Sequence, residues 1–193
     1  MSATPRRAVI LDRDGTIIVD HGYLGDPACV TLLPGAAEGL RRLHERGHPI
    51  VVVSNQSGVG RGHLTLARVQ EVNERLQQLV GEAGARIDAI YCCPHRPEEH
   101  CACRKPSTTL VLQAAADLGF DPAACVVIGD KSSDVELGQR LRVPTLLVSA
   151  DGTASDGLPA SPNYVIRDLA QGARIIEGLE SRAAPRLPGH SAG

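Results

Sequence analysis

The sequence predicts an α/β fold, a doubly wound parallel sheet, on three observations. Short apolar runs rich in Val, Ile and Leu alternate along the chain with stretches of helical periodicity. With one Phe and no Trp, the core must rest on aliphatic residues, which suits strands buried on both faces. The polar clusters follow directly after the apolar runs, at the carboxyl ends where open α/β sheets bind ligands.

The elements follow in order. Residues 8–12 read as a first strand, and residues 35–46 as a helix started by Pro34-Gly35 and stopped by Gly47. Pro49 to Ser54, rich in valine, is a second buried strand. Residues 64–83 place Leu64, Val69, Val72, Leu76, Leu79 and Val80 near helical spacing and form a long amphipathic helix. Ile87 to Cys92 is a third strand, residues 107–118 a helix ended by Gly119, and Cys125 to Gly129 a fourth strand. Residues 133–141 are a helix and Thr145 to Ser149 a fifth strand. A short strand at Tyr164–Ile166 and a helix at 168–180 complete the set.

Length and charge set bounds. At 193 residues the chain suits one well-buried domain, taken as residues 1–180, with an Ala- and Pro-rich tail at 181–193 expected to be disordered. A formal charge of −2 argues against a nucleic-acid partner. No stretch is long and apolar enough for a membrane span, and the start lacks the apolar segment of a signal peptide. A cytoplasmic monomer acting on a small molecule is the expectation. In a reducing compartment the six cysteines are metal ligands or buried thiols rather than disulfides.

The segment Asp12-Arg13-Asp14-Gly15-Thr16 carries the chemistry. A strand ending there delivers two carboxylates one residue apart, and these repel unless a cation sits between them or one stays protonated. That equips the chain for metal-assisted attack by one carboxylate and proton donation by its neighbour. Taken alone, the segment could equally be a strand running into an Asp-Gly turn. Three further clusters accompany it. Ser54-Asn55-Gln56-Ser57-Gly58 puts a hydroxyl at the second strand's end, although alone it is an ordinary polar loop. Arg104-Lys105-Pro106 precedes a helix, where Lys105 could reach an anion or be one of a solvated basic pair. Gly129-Asp130-Lys131-Ser132-Ser133-Asp134 brings a carboxylate at once after a strand and another a turn later; its bland reading is a capped helix start.

In this order the four clusters resemble the haloacid dehalogenase superfamily of phosphohydrolases, with its Rossmann-like fold. The resemblance implies Asp12 as nucleophile toward phosphorus, forming an aspartyl-phosphate, and Asp14 as the acid and base around it. It implies Ser54 and Lys105 as holders of the phosphoryl oxygens. It also implies a Mg²⁺ site drawn from Asp12, the backbone carbonyl of Asp14, Asp130 and Lys131, with Asp134 supporting from behind.

Cys93-Pro94-His95 and Cys101-Ala102-Cys103 form a C-x-H-x5-C-x-C array. Thiolates and imidazole select Zn²⁺, and four such ligands leave no open position, which makes a structural site. The spacing departs from the usual fingers, so thiols beside a loop histidine are the alternative. Its place just before Arg104-Lys105 resembles zinc-loop members of the same superfamily, which implies a zinc-stapled loop. Cys92 is expected to point into the core, Cys29 and Cys125 are expected as core thiols, and His100 is a neighbour outside the set.

Neither gap where this superfamily inserts large caps has room for one, so loops around an open site should recognise the substrate. Three loops resemble the D-glycero-D-manno-heptose-1,7-bisphosphate 7-phosphatase family: Asp12 to Tyr23 with its Asp20-His21-Gly22-Tyr23, Ser54 to Gly62, and Cys103 to Pro106. The resemblance implies removal of the C7 phosphate, with substrate contacts from Asp20, His21, Gly22, Tyr23, Ser54, Asn55, Gln56, Ser57, Arg61, Arg104 and Lys105. Histidinol-phosphate phosphatases, the alternative, usually have Asp where Ser57 stands and lack the Arg61-Gly62 pair. Ile18 stands where many heptose enzymes have a polar residue.

Overall fold

The computed structural model describes residues 7–153 and 161–183. Six parallel strands form one sheet: β1 (Val9–Leu11), β2 (Ile50–Asn55), β3 (Ala89–Cys93), β4 (Val126–Gly129), β5 (Thr145–Val148) and β6 (Tyr164–Ile166). Their order is β3-β2-β1-β4-β5-β6. The chain thus winds outward from β1 through β2 to β3, then crosses back to β4 beside β1 and winds the other way. Between β1 and β4 the strand order reverses, and their loops part to leave a crevice at the carboxyl ends. The helices are α1 (Ala36–Glu45), α2 (Ser57–Gly60), α3 (Leu66–Glu82), α4 (Thr109–Leu118), α5 (Ser132–Leu141) and α6 (Leu169–Ala183).

Alternation along the strands divides the core into two layers. Val9, Leu11, Ile50, Val52 and Ile128 face Leu40 and Leu43 of α1, Val72 and Leu76 of α3, and Leu169 and Ile176 of α6. Ile10, Val51, Val53 and Val127 face Val111 and Ala114 of α4 and Leu137 of α5. A Val, Leu or Ile side chain buried this fully contributes about 1.5–3 kcal/mol relative to an exposed one. Both faces of β1 and β2 are covered, which is why these strands read as continuous apolar runs.

Every expected strand and helix is present, with ends shifted by at most three residues. Among the described residues no large cap stands over the sheet: the β1–β2 connection holds one short 3-10 turn and α1, and the β2–β3 connection holds α2 and α3. The single turn α2 was not expected from a Gly-rich stretch, since Gly weakens helices; a hydrogen bond from Arg61 N–H to the Ser57 carbonyl at 3.0 Å closes it. Cys29 is a correction. It is exposed, because Pro27 starts a 3-10 turn on the surface and Val30 takes the inward place. Cys125 is buried as expected, whereas Cys92 is only half-buried. Ile18 is buried in the larger core layer. The last helix runs on through residues 181–183, and the rest of the expected tail, 184–193, lies outside the described residues.

Candidate active site

The crevice between β1 and β4 collects the carboxylates. Asp12 follows β1 directly, and its Oδ1 accepts a hydrogen bond from the Arg13 backbone N–H at 2.7 Å. Lys105 Nζ lies 2.8 Å from the same Oδ1 and 2.7 Å from Asp134 Oδ1. All three side chains are nearly inaccessible, at 6%, 2% and 2% exposure. Burial opposes the Lys105 charge, but the Asp12 and Asp134 carboxylates outweigh it and hold the ammonium above its ordinary range.

Asp130 leaves β4 toward the same point. Burial, followed by the charge of Asp12, pushes its carboxyl up to about 7. Burial likewise raises Asp134, to about 6, against the opposing pull of Lys105. Asp130 Oδ1 is buried without a hydrogen-bond partner among the described residues. Gly15 explains how Asp130 fits. Its φ of +78° is the left-handed region that glycine adopts without strain, and a Cβ there would run into the Asp130 carboxylate. Asp12, Asp130 and Asp134 can each offer an oxygen, all within 4.8 Å of one another. Crowded carboxylates with an unpartnered buried oxygen suit a hard divalent cation such as Mg²⁺.

The Asp14 carboxylate stands outside that group. Arg13 forks onto the Asp14 carboxylate through Nε at 3.1 Å and Nη2 at 3.2 Å. Gln56 Nε2 donates to Asp14 Oδ2 at 2.7 Å and to Ser54 Oγ at 2.8 Å, so β2's exit loop and the β1 loop share one network. Asn55 fastens the third loop: its Oδ1 accepts from Lys105 N–H at 2.9 Å and its Nδ2 donates to the Lys105 carbonyl at 3.2 Å.

A cavity of about 310 Å³ opens above these groups, lined by Asp12, Asp14, Lys105, Ser54 to Gly58, Asp20, Gly22, Tyr23, Arg104, Lys131 and Ser133. The structure therefore brings most of the expected residues together. It parts with the expectation at three. Lys131 puts its ammonium 3.1 Å from Asp20 Oδ2 and 3.8 Å from Asp130 Oδ2. A cationic side chain is no metal ligand, which leaves only its backbone carbonyl for that role. Arg61 is carried outward by α2 and pairs with Glu98 Oε1 at 3.3 Å, outside the cavity lining. His21 is exposed and likewise outside it. Arg13, fully buried, was overlooked; a sequence signal existed, since an Arg wedged into a buried strand exit must be paired.

Beside the cavity, Cys93, His95, Cys101 and Cys103 each offer one donor atom within 4.8 Å of the others. Cys93 Sγ lies 3.4 Å from Cys101 Sγ, and His95 Nδ1 lies 3.3 Å from Cys103 Sγ. Four soft donors converging on one point suit a tetrahedral Zn²⁺. Burial works against a Cys101 thiolate. Donors from Cys93 and from the Cys103 and Arg104 backbones prevail and lower its pKa to about 7. His100, exposed and with a φ of +47°, stays out of the group. Arg104 Nη1 donates to the His95 carbonyl at 3.3 Å, linking this loop to the cavity wall.

Comparison with known proteins bears on this geometry. A family model described as HAD-hydrolase-like matches residues 102–172. The D-glycero-beta-D-manno-heptose-1,7-bisphosphate 7-phosphatase of Pasteurella multocida is 33% identical over 183 residues, covering 91% of this chain and 100% of the relative. The chain belongs to this phosphatase family. A family member from Helicobacter pylori J99 is 39% identical over 146 residues, 75% of this chain and 84% of its own. Among solved structures, a heptose 1,7-bisphosphate phosphatase from B. bronchiseptica superposes with a TM-score of 0.80 at 29% identity, covering 90% of this chain and 99% of that one. That family member was crystallised with magnesium and phosphate.

Proposed function

We propose that the protein is a Mg²⁺-dependent phosphatase that removes the C7 phosphate of D-glycero-D-manno-heptose 1,7-bisphosphate through an aspartyl-phosphate on Asp12. The observation that carries this reading is the buried Asp12–Lys105–Asp134 line, with Asp14 two residues on from Asp12 and facing the same cavity. Membership of the heptose bisphosphate family supports the substrate.

Asp12 attacks phosphorus in line and takes the phosphoryl group. Asp14 protonates the departing sugar oxygen, then accepts a proton from the water that hydrolyses the intermediate. Lys105 and Ser54 hold the non-bridging oxygens, over which charge spreads in the transition state. Asp12, Asp130 and the Asp14 carbonyl would hold Mg²⁺, which when bound neutralises the carboxylates and polarises a phosphoryl oxygen. Cys93, His95, Cys101 and Cys103 would hold a structural Zn²⁺ that shapes the loop carrying Arg104. Tyr23, Gly22 and Arg104 line the wall that meets the sugar. In this reading the enzyme acts as a cytoplasmic monomer.

The test is phosphate release from the heptose bisphosphate with ³¹P NMR assigning the position lost. Asp12→Asn should lower kcat by roughly 10³-fold or more while the fold survives. Substantial Mg²⁺-dependent turnover in that variant, or loss of the C1 phosphate first, would overturn the reading.

A further inference from the structure

Among the described residues Arg13 is the largest fully buried side chain, and the reaction as described gives it nothing to do. A guanidinium in that position must have its donors matched, because an unpaired buried charge is severely destabilising. Two of its corners fork onto Asp14. The third, Nη1, donates to Asn73 Oδ1 at 2.8 Å, across 60 residues of sequence. Asn73 sits mid-way along α3 at 5% exposure, among the buried apolar side chains Val69, Val72, Leu76 and Val80. Packing alone would favour an aliphatic residue there. Asn73 Nδ2 in turn points to Cys92 Sγ in β3 at 3.6 Å, which sets the amide so that its oxygen faces Arg13.

We propose that Asn73 is a positioning residue for proton transfer, holding Arg13 so that Arg13 fixes the Asp14 carboxyl at the leaving oxygen. The details of the fork give this direction. Asp14 Oδ2 accepts from Gln56 and Arg13 Nε and also lies 3.0 Å from Arg13 Nη2, whereas the one hydrogen bond to Oδ1 among the described residues comes from Arg13 Nη2 at 3.2 Å. Oδ1 therefore keeps the free lone pair that carries the proton. As the bond from phosphorus to the sugar oxygen breaks, the Oδ1 proton passes to that oxygen and Asp14 is left as carboxylate beside Arg13. Without Asn73 the guanidinium can swing, and the carboxyl loses its aim although it keeps its charge partner.

This inference rests on the reading of Asp14 as the acid, so both are measured together. The readout is the ratio of kcat/KM for heptose 1,7-bisphosphate, whose leaving alcohol needs a proton, to kcat/KM for p-nitrophenyl phosphate, whose leaving group does not. Taken within one preparation, the ratio is independent of how much protein is folded. Asp14→Asn should lower it by about 100-fold or more, and Asn73→Leu by about 10-fold, a fraction of what general acid catalysis supplies. Asn73→Asp, which keeps the acceptor for Arg13, should return the ratio to within about threefold of wild type. Should Asn73→Leu fail to fold, Asn73→Ala removes the same acceptor with less steric burden and is expected to give the same ratio. If Asp14→Asn leaves the ratio unchanged, the acid assignment fails and this inference falls with it. If Asp14→Asn lowers the ratio while Asn73→Leu or Asn73→Ala depresses both substrates equally, or neither, Asn73 is merely structural and the proposal alone is overturned.

Discussion

Replacing Lys105 by Met tests how the carboxylate cluster is held together. The substitution keeps length and removes only the charge between Asp12 Oδ1, 2.8 Å away, and Asp134 Oδ1, 2.7 Å away. At an effective dielectric of about 20, each such contact supplies roughly 6 kcal/mol of gross attraction, most of it spent on dehydrating the ions. Deleting one partner exposes the unspent part, because the other charges stay buried; about 3–5 kcal/mol is expected. At about 2–4 °C per kcal/mol for a chain of this size, melting should fall by roughly 6–20 °C. The loss should depend on pH. Asp134 already titrates near 6 with the lysine present and must rise further without it, so at low pH the pair keeps a proton and the repulsion is relieved. Thermal melts in Mg²⁺-free buffer at pH 5.5 and 8 measure this, and the larger drop belongs to pH 8. Lys105→Met with Asp134→Asn should regain most of the stability and none of the turnover. A single variant melting within about 2 °C of wild type at pH 8, or losing as much at pH 5.5, would refute the reasoning.

Other outcomes follow from the same geometry. Mg²⁺ should raise the melting temperature more at pH 8 than at pH 5.5: Asp130 and Asp134 are raised to about 7 and 6, so below those values the ion must displace protons; an equal shift at both pH values would count against the site. Cys103→Ser should abolish stoichiometric zinc by elemental analysis and lower stability, since structural zinc contributes folding energy directly; a metal-free wild type, indifferent to chelators, would contradict it. Arg104→Ala should cost at least about 10-fold more in kcat/KM for the heptose bisphosphate than for p-nitrophenyl phosphate, because Arg104 lines the cavity and is proposed to contact the sugar; equal losses would reduce it to a brace for the His95 carbonyl.

Much of this was legible in the sequence because strands buried on both faces must be apolar throughout, and the residue after each such run is delivered to one rim of the sheet. Asp12, Ser54 and Asp130 could be placed for that reason. Partners far apart in sequence could not. The Arg13–Asn73 bond spans 60 residues and the Lys131–Asp20 pair spans 111, and no spacing rule reports either. Lys131 was grouped with the magnesium site for its place beside Asp130, yet its flexible side chain swings to the β1 loop. Arg61 was expected at the substrate from the family resemblance of its loop; one helical turn carries it outward, where it pairs with Glu98. Cys29 looked like a core thiol by residue type alone, and Pro27 kept its turn at the surface.

The two hydrogen bonds between the Asn55 side chain and the Lys105 main chain make the lysine, in effect, an honorary member of β2. The lysine proposed to meet phosphate is thus indexed to the sheet, while the loop that brings it there carries its own Cys and His cluster. The anchor and the cluster are separate devices: the Asn55 bonds fix where the Lys105 main chain comes to rest, and the Cys93, His95, Cys101 and Cys103 group gathers the loop that leads to it. If Arg104 reads the sugar as proposed, its neighbours on the cavity wall are free to diverge among relatives while the Lys105 anchor stays in register.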